Sequence, residues 1–99
     1  MKKIKNIHPG EILHEEFLIP LEISAYRLSK DTQMPHSRIS AILKSNRRIT
    51  AETALKLAKY FGNSAKFWLG LQDDFDIEEE NILLKNKLNL IKQHSDSAA

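Results

Sequence analysis

The chain has 99 residues, of which 41% are hydrophobic and 28% charged, with a formal net charge of +2. That length supports one small core rather than two, and the absence of cysteine excludes disulfides, thiolate nucleophiles and thiolate metal sites. Neither a secretory leader pattern nor an apolar run near the ~20 residues that span a bilayer is present, so a cytoplasmic protein without a membrane partner is expected.

Strand signals are nearly missing, since neither sustained period-two alternation nor an Asn-Gly or Asp-Gly hairpin turn occurs. Helical signals recur instead. After Pro9-Gly10, "EILHEEFLIP" sets Ile12, Leu13 and Phe17 on one stripe with Glu11, Glu15 and Glu16 elsewhere. Pro20, which lacks an N–H and disfavours helical geometry before it, is expected to end this helix. Ser24 is a suitable N-cap for a second short helix, "AYRLSKDT", anchored by Leu28. The pattern breaks at 33 to 35, and a third helix is expected from about Pro35 to Lys44, because proline is tolerated at a helix start.

Thr50 should cap a fourth helix, "AETALKLAKYF", with Glu52 complementing the positive end of the dipole. Ala51, Leu55 and Ala58 form one row, and Ala54, Leu57 and Phe61 its neighbour, so this helix is expected to be well buried. Gly62 supplies its stop, and Ser64 can cap a short fifth helix, "AKFWLGLQ". From Asp73 the character changes: "DDFDIEEE" is an acidic stretch, and "NILLKNKLNLIKQ" has a helical row at Leu84, Leu88 and Ile91. "HSDSAA" reads as a frayed end. The expected organisation is therefore an all-α domain over 1–76 followed by a helical extension over 77–99.

Charge is distributed unevenly along these elements. Residues 1–23 sum to −1 and 67–99 to −4, whereas 24–66 carry nine Lys/Arg against only Asp31 and Glu52, giving +7. Such separation concerns partners rather than fold. Within the basic block, at about 100° per residue, Ser37, Ser40, Ala41 and Lys44 cluster on one face of the third helix. Ile39, Ile42 and Leu43 occupy the opposite face, with His36 and Arg38 on the flanks. One stripe is core; the other is small, polar and edged by long donors.

With the preceding helix and tight turn, this is the pattern of a helix-turn-helix, whose second helix fits a major groove. His36, Ser37, Arg38, Ser40, Ala41 and Lys44 are the base-reading candidates. Arg27, Asn46, Arg47 and Arg48 are phosphate candidates, and the N–H groups at the helix start near Ser24 form another phosphate seat. The plainer reading is a solvated charged face; the spacing and the scarcity of acids over 24–66 favour double-stranded DNA.

Phe67, Trp68, Leu69 and Leu71 are many apolar groups for a two-turn helix. They read either as core or as a two-fold dimer interface. The acidic 73–80 stretch is either a solvated linker or a contact for a basic protein, and 81–93 can dock on the domain, pair with its mate or wrap a partner. An enzyme is not expected. His8, His14, His36 and His94 lack metal-ligand spacing, no Gly-rich phosphate loop exists, and the Glu pairs lack contrasting environments. No cofactor or metal is implied.

"HPGEIL" at 8–13, "EEFLIPL" at 15–21, "ITAETALKLAKYFG" at 49–62 and "FWLGLQDDFD" at 67–76 together resemble the HigA/VapI-type antitoxins, small helix-turn-helix proteins of the xenobiotic-response-element-like group. The resemblance spans about residues 7–77. It implies a five-helix lambda-repressor-like domain, a homodimer, repression of its own operon at an operator, and a HigB-like toxin partner that cleaves mRNA in RelE fashion. The alternative is a stand-alone helix-turn-helix repressor without a toxin. The chain departs from the family pattern at Gln33 (a turn glycine), Ser29 (alanine), Pro35 (a Ser/Thr-like cap) and Lys44-Ser45 (Asn-Gly). A left-handed Gln33 would cost on the order of 1 kcal/mol, so a remodelled turn is expected there.

Overall fold

The computed structural model describes residues 5–95, and all regular structure among them is helical. Helix α1 is continuous but changes gauge, from α-helical Pro9–Ile12 through π-helical Leu13–Leu18 to a closing turn at Ile19–Leu21. Four further helices follow: α2 (Ala25–Thr32), α3 (His36–Leu43), α4 (Ala51–Phe61) and α5 (Ala65–Leu88).

Pro20 does not end α1, contrary to expectation. A proline has no N–H to give the carbonyl four residues back, and its ring presses on that carbonyl. The helix widens ahead of it, and the Ile19 N–H reaches five residues back to the His14 carbonyl. That π segment accommodates the ring, so the helix runs on to Leu21. The stop comes from Glu22, which turns left-handed at φ 55°, after which the Ile23 N–H closes on the Leu18 carbonyl at 2.9 Å.

The same device recurs. Gln33 (φ 58°), Ser45 (φ 63°) and Gly62 (φ 75°) end α2, α3 and α4. In each case the next N–H returns to the carbonyl five residues before it: Met34 to Ser29, Asn46 to Ala41 and Asn63 to Ala58. This is the Schellman arrangement, which glycine adopts without the steric cost of a Cβ. Gln33 therefore makes the turn in the glycine conformation; the turn is not remodelled. The strain is offset by burial of Met34, which the turn delivers into the core.

The core gathers Leu13, Leu18, Leu28, Met34, Ile39, Ile42, Ile49, Ala54, Leu57 and Trp68. Helix α4 buries one of its expected rows, through Ala54 and Leu57 with Phe61 part-buried, and only Ala58 of the other, whose Ala51 is exposed and Leu55 63% exposed; Thr53, in neither row, is buried as well. Thr50 stands at its N-cap without a side-chain capping bond, whereas the Ser64 hydroxyl accepts from the Phe67 N–H at 3.0 Å as expected.

Trp68 resolves one open reading. It is wholly inside the protomer, its ring lies 4.9 Å from Phe17, and its indole N–H donates to Asn63 Oδ1 at 2.8 Å. It is core and presents no surface to a mate. Phe67 is 40% exposed, and Leu69 and Leu71 are part-buried against the core.

Residues 65–88 form one 24-residue helix rather than a short helix, an acidic linker and a second helix. No proline interrupts the segment, and its Glu, Leu and Lys residues are good helix formers, so elongation continues past residues 76–77 without a break. The second half projects from the body. The radius of gyration is 17.4 Å, against about 13 Å for a compact chain of this length.

Candidate nucleic-acid interface

Helix α3 presents the two faces anticipated. Ile39 and Ile42 are fully buried beneath it. His36, Ser37 and Lys44 are exposed, and Ser40 and Ala41 part-buried beside them. The seat of α3 is set from below by α1. Gly10 lies so close that a Cβ there would overlap the Ile42 carbonyl oxygen and stand 2.8 Å from its carbon. Gly10 is in turn fixed by His8, a buried N-cap whose Nδ1 accepts the Gly10 N–H at 2.9 Å and whose ring meets Phe75 edge-on at 4.9 Å. Burial pushes the His8 imidazole below its ordinary pKa, with the Glu11 and Asp76 charges opposing in part.

The cations divide into held and unheld. Arg38 is turned inward: its Nη1 lies 3.3 Å from Glu52 Oε2, and its side chain is 16% exposed. The pair is close enough for charge attraction but not aligned as a hydrogen bond, leaving Nε and Nη1 buried without an acceptor. Glu52 is also gripped by Lys56 at 3.1 Å. The two neighbouring cations, Lys56 first and then Arg38, keep its carboxyl below the usual range. Arg38, expected among the base readers, therefore faces α4 instead, drawn by the Glu52 carboxylate one helix away, which it shares with Lys56.

Arg27 is likewise engaged. Its Nε donates to Asp31 Oδ2 at 2.7 Å, and the same oxygen accepts the Tyr60 hydroxyl at 2.7 Å. Tyr60 and then Arg27 hold the Asp31 carboxyl below its ordinary value. Arg48 donates to Asp76 Oδ2 at 2.7 Å. Lys44 and Arg47, by contrast, are exposed and make no ion pair among the described residues. Asn46 is exposed too, its N–H spent on the Ala41 carbonyl at 2.8 Å. At the start of α2, the Ser24 hydroxyl accepts from the Arg27 N–H at 3.0 Å and caps the helix.

The structure thus brings His36, Ser37, Ser40, Ala41, Lys44, Asn46 and Arg47 onto one outer surface and ties Arg27, Arg38 and Arg48 to acids. With Asp31 and Glu52 occupied, the unheld cations at α3 and the loop after it are Lys44 and Arg47, while Lys30, Lys59 and Lys66 are unheld on other helices.

Two positioning residues were missed by sequence reasoning. Gln72 is 2% exposed; its Oε1 accepts the Ile49 N–H at 2.7 Å and its Nε2 donates to Asp76 Oδ1 at 3.0 Å. This chain of bonds, ending at Arg48, pins the loop carrying Arg47 to α5. The signal was present, since Gln72 follows Trp68 by four and shares its inward face. Glu52 was assigned to the helix dipole, and only folding shows that it stands beside Arg38.

Two short helices joined by a tight left-handed turn, the second buried on one side and small and cationic on the other, define a helix-turn-helix domain. Residues 15–68 match the helix-turn-helix family model. Virulence-associated protein I of Dichelobacter nodosus is 49% identical over 72 residues, covering 73% of this chain and 67% of that protein. A HigA-family addiction-module antidote protein from Coxiella burnetii superposes with a TM-score of 0.86 at 42% identity, over 92% of this chain and 100% of that one. The Pseudomonas aeruginosa antitoxin HigA, solved with the higBA promoter, gives 0.87 at 30% identity, again over 92% and 100%. The chain belongs to the HigA/VapI-type family of helix-turn-helix proteins. No helix among the described residues is long and apolar enough to cross a membrane.

Proposed function

We propose that the chain is a transcriptional repressor that binds a palindromic operator as a homodimer and also neutralises a HigB/RelE-like mRNA-cleaving toxin encoded with it. The observation that carries the DNA half is the outer face of α3, small enough for close approach and bordered by the unheld Lys44 and Arg47. Support comes from the related antitoxin solved with its promoter. His36, Ser37, Ser40, Ala41 and Lys44 meet base edges in the major groove. Asn46, Arg47 and the N-terminus of α2 at Ser24 meet phosphates, giving affinity without sequence. Arg38 acts indirectly, holding α3 against α4 through Glu52; Arg27 and Arg48 likewise brace α2 and the loop. Phe67, Leu69 and Leu71 remain interface residues in this reading, without Trp68.

The toxin half is supported by the family and by the exposed carboxylates of 73–80, which suit a basic, RNA-cutting partner. The test is binding to operator and to random duplex across salt. Arg47→Ala should weaken both similarly and reduce the slope of log K against log salt by about 0.9, one phosphate's worth. Ser37→Glu should abolish operator preference. Unchanged binding in both variants would remove α3 from the DNA. Co-expression with the neighbouring reading frame checks the rest: a co-purifying ribonuclease supports the antitoxin role, and repression without such a partner leaves a stand-alone repressor.

A further inference from the structure

The outer face of α3 lacks the side chains that fork two hydrogen bonds onto one base, Arg to guanine and Asn or Gln to adenine. Residues 36–44 contain no Asn or Gln, and their single arginine, Arg38, is drawn away to Glu52 at 3.3 Å. At about 100° per residue, Ala41 and Lys44 lie within about 40° of Ser37. This row is the crest of the face, with Ile39 and Ile42 fully buried behind it. Ala41 stands at its middle, a bare methyl between a hydroxyl and an ammonium.

Distance and chemistry together select the base that lies beneath Ala41. A helix with its side chains is about 10–12 Å across, close to the ~12 Å width of the major groove. A crest of Ser and Ala is thinner, so the helix can settle until the Ala41 methyl touches the groove floor. There cytosine offers an amino donor, adenine an amino donor beside an acceptor, and guanine two acceptors, whereas thymine adds a C5 methyl to its one acceptor. Alanine satisfies none of the polar edges, and drying one without a partner is costly. The thymine methyl is the group that gains, since both methyls leave water together. Its neighbouring O4 is not stranded. The serine hydroxyls of Ser24, Ser29 and Ser64 are spent on backbone groups, but those of Ser37 and Ser40 make no hydrogen bond among the described residues, so either is free to donate.

We infer that Ala41 is a specificity-determining residue that seats on the C5 methyl of a thymine in each operator half-site. The inference rests on the DNA-binding reading above and adds to it the identity of the base under the centre of α3.

The test starts from duplexes that the full-length protein selects out of a random library, remade with deoxyuridine for thymidine one position at a time. That exchange removes a methyl and nothing else. One thymine in each half-site should be sensitive, losing about fourfold in affinity, and about fifteenfold when both are replaced. In Ala41→Gly the same exchange should cost nothing. The comparison is a ratio within one variant, so any general loss of helix stability or affinity cancels from it. Selection repeated with Ala41→Asn should exchange thymine for adenine at that position, since Asn forks onto adenine. Sequence-selective binding with every deoxyuridine tolerated would overturn the inference and leave the operator reading standing. So would a methyl effect that persists at full size in Ala41→Gly, or thymine still selected by Ala41→Asn. A parent protein that selects no sequence from the library would overturn both.

Discussion

Gly10→Ala should both destabilise the protein and disturb operator binding, although residue 10 lies nowhere near the outer face of α3. A Cβ at this site would overlap the Ile42 carbonyl oxygen and come within 2.8 Å of its carbon. Both atoms belong to the backbone of α3 and cannot swing aside as a side chain would. Relief therefore requires α1 and α3 to separate, and overpacking of this kind costs about 1–3 kcal/mol. Alanine's better helix propensity recovers roughly 0.5–1 kcal/mol, leaving a net loss near ~1–2 kcal/mol. For a domain of this size that lowers Tm by about 5–15 °C. Gly70→Ala is the control, because a Cβ there meets nothing within 4 Å, and the same propensity gain should raise stability by up to ~1 kcal/mol. Thermal and urea unfolding of the two variants, with operator titration of Gly10→Ala below its Tm, gives the comparison. Equal stability changes of the same sign in both would refute the close-approach argument.

Gln33→Gly should stabilise the fold by about 1 kcal/mol, by relieving the left-handed backbone at φ 58° that glycine adopts at no steric cost; a lower urea midpoint would contradict this. Gln72→Met should cost about 1–3 kcal/mol, because the buried Ile49 N–H loses its acceptor. The loop from 44 to 49 should then exchange its amide hydrogens faster, and unchanged exchange would sever Gln72 from that loop. Stability should fall as pH drops below about 6.5. The unfolded His8 takes up a proton there, while the buried ring, whose Nδ1 already accepts the Gly10 N–H, refuses it until lower pH. The loss continues down through the depressed folded pKa and then levels off. His8→Asn keeps a capping oxygen and should flatten this part of the curve, as urea midpoints at pH 7.5 and 5.5 would reveal.

Much of the fold was legible because its signals are local. Ser24 and Ser64 cap the helices they were expected to cap, since a side-chain oxygen two or three residues from an unpaired N–H acts within its own turn. The two faces of α3 were readable for the same reason, as helical angle alone sorts Ile39 and Ile42 from Ser37 and Lys44. Where local rules competed, the reading failed. Pro20 argued for a stop, but a π-helical widening let the helix pass. The acidic 73–80 run resembled a linker, yet it contains no breaker and simply continues the helix.

Composition and periodicity by themselves determined an all-helical domain with a basic middle and a reading helix of two characters, because each of these depends on residues within a turn or two of one another. Only the tertiary structure decided which cations are spoken for, that Trp68 belongs to the inside, and how near α1 comes to α3. Those outcomes hang on Glu52, Asp76 and Gly10 meeting groups some 14 to 32 residues away. Such long-range meetings are set by how helices stack, which no window along the chain contains.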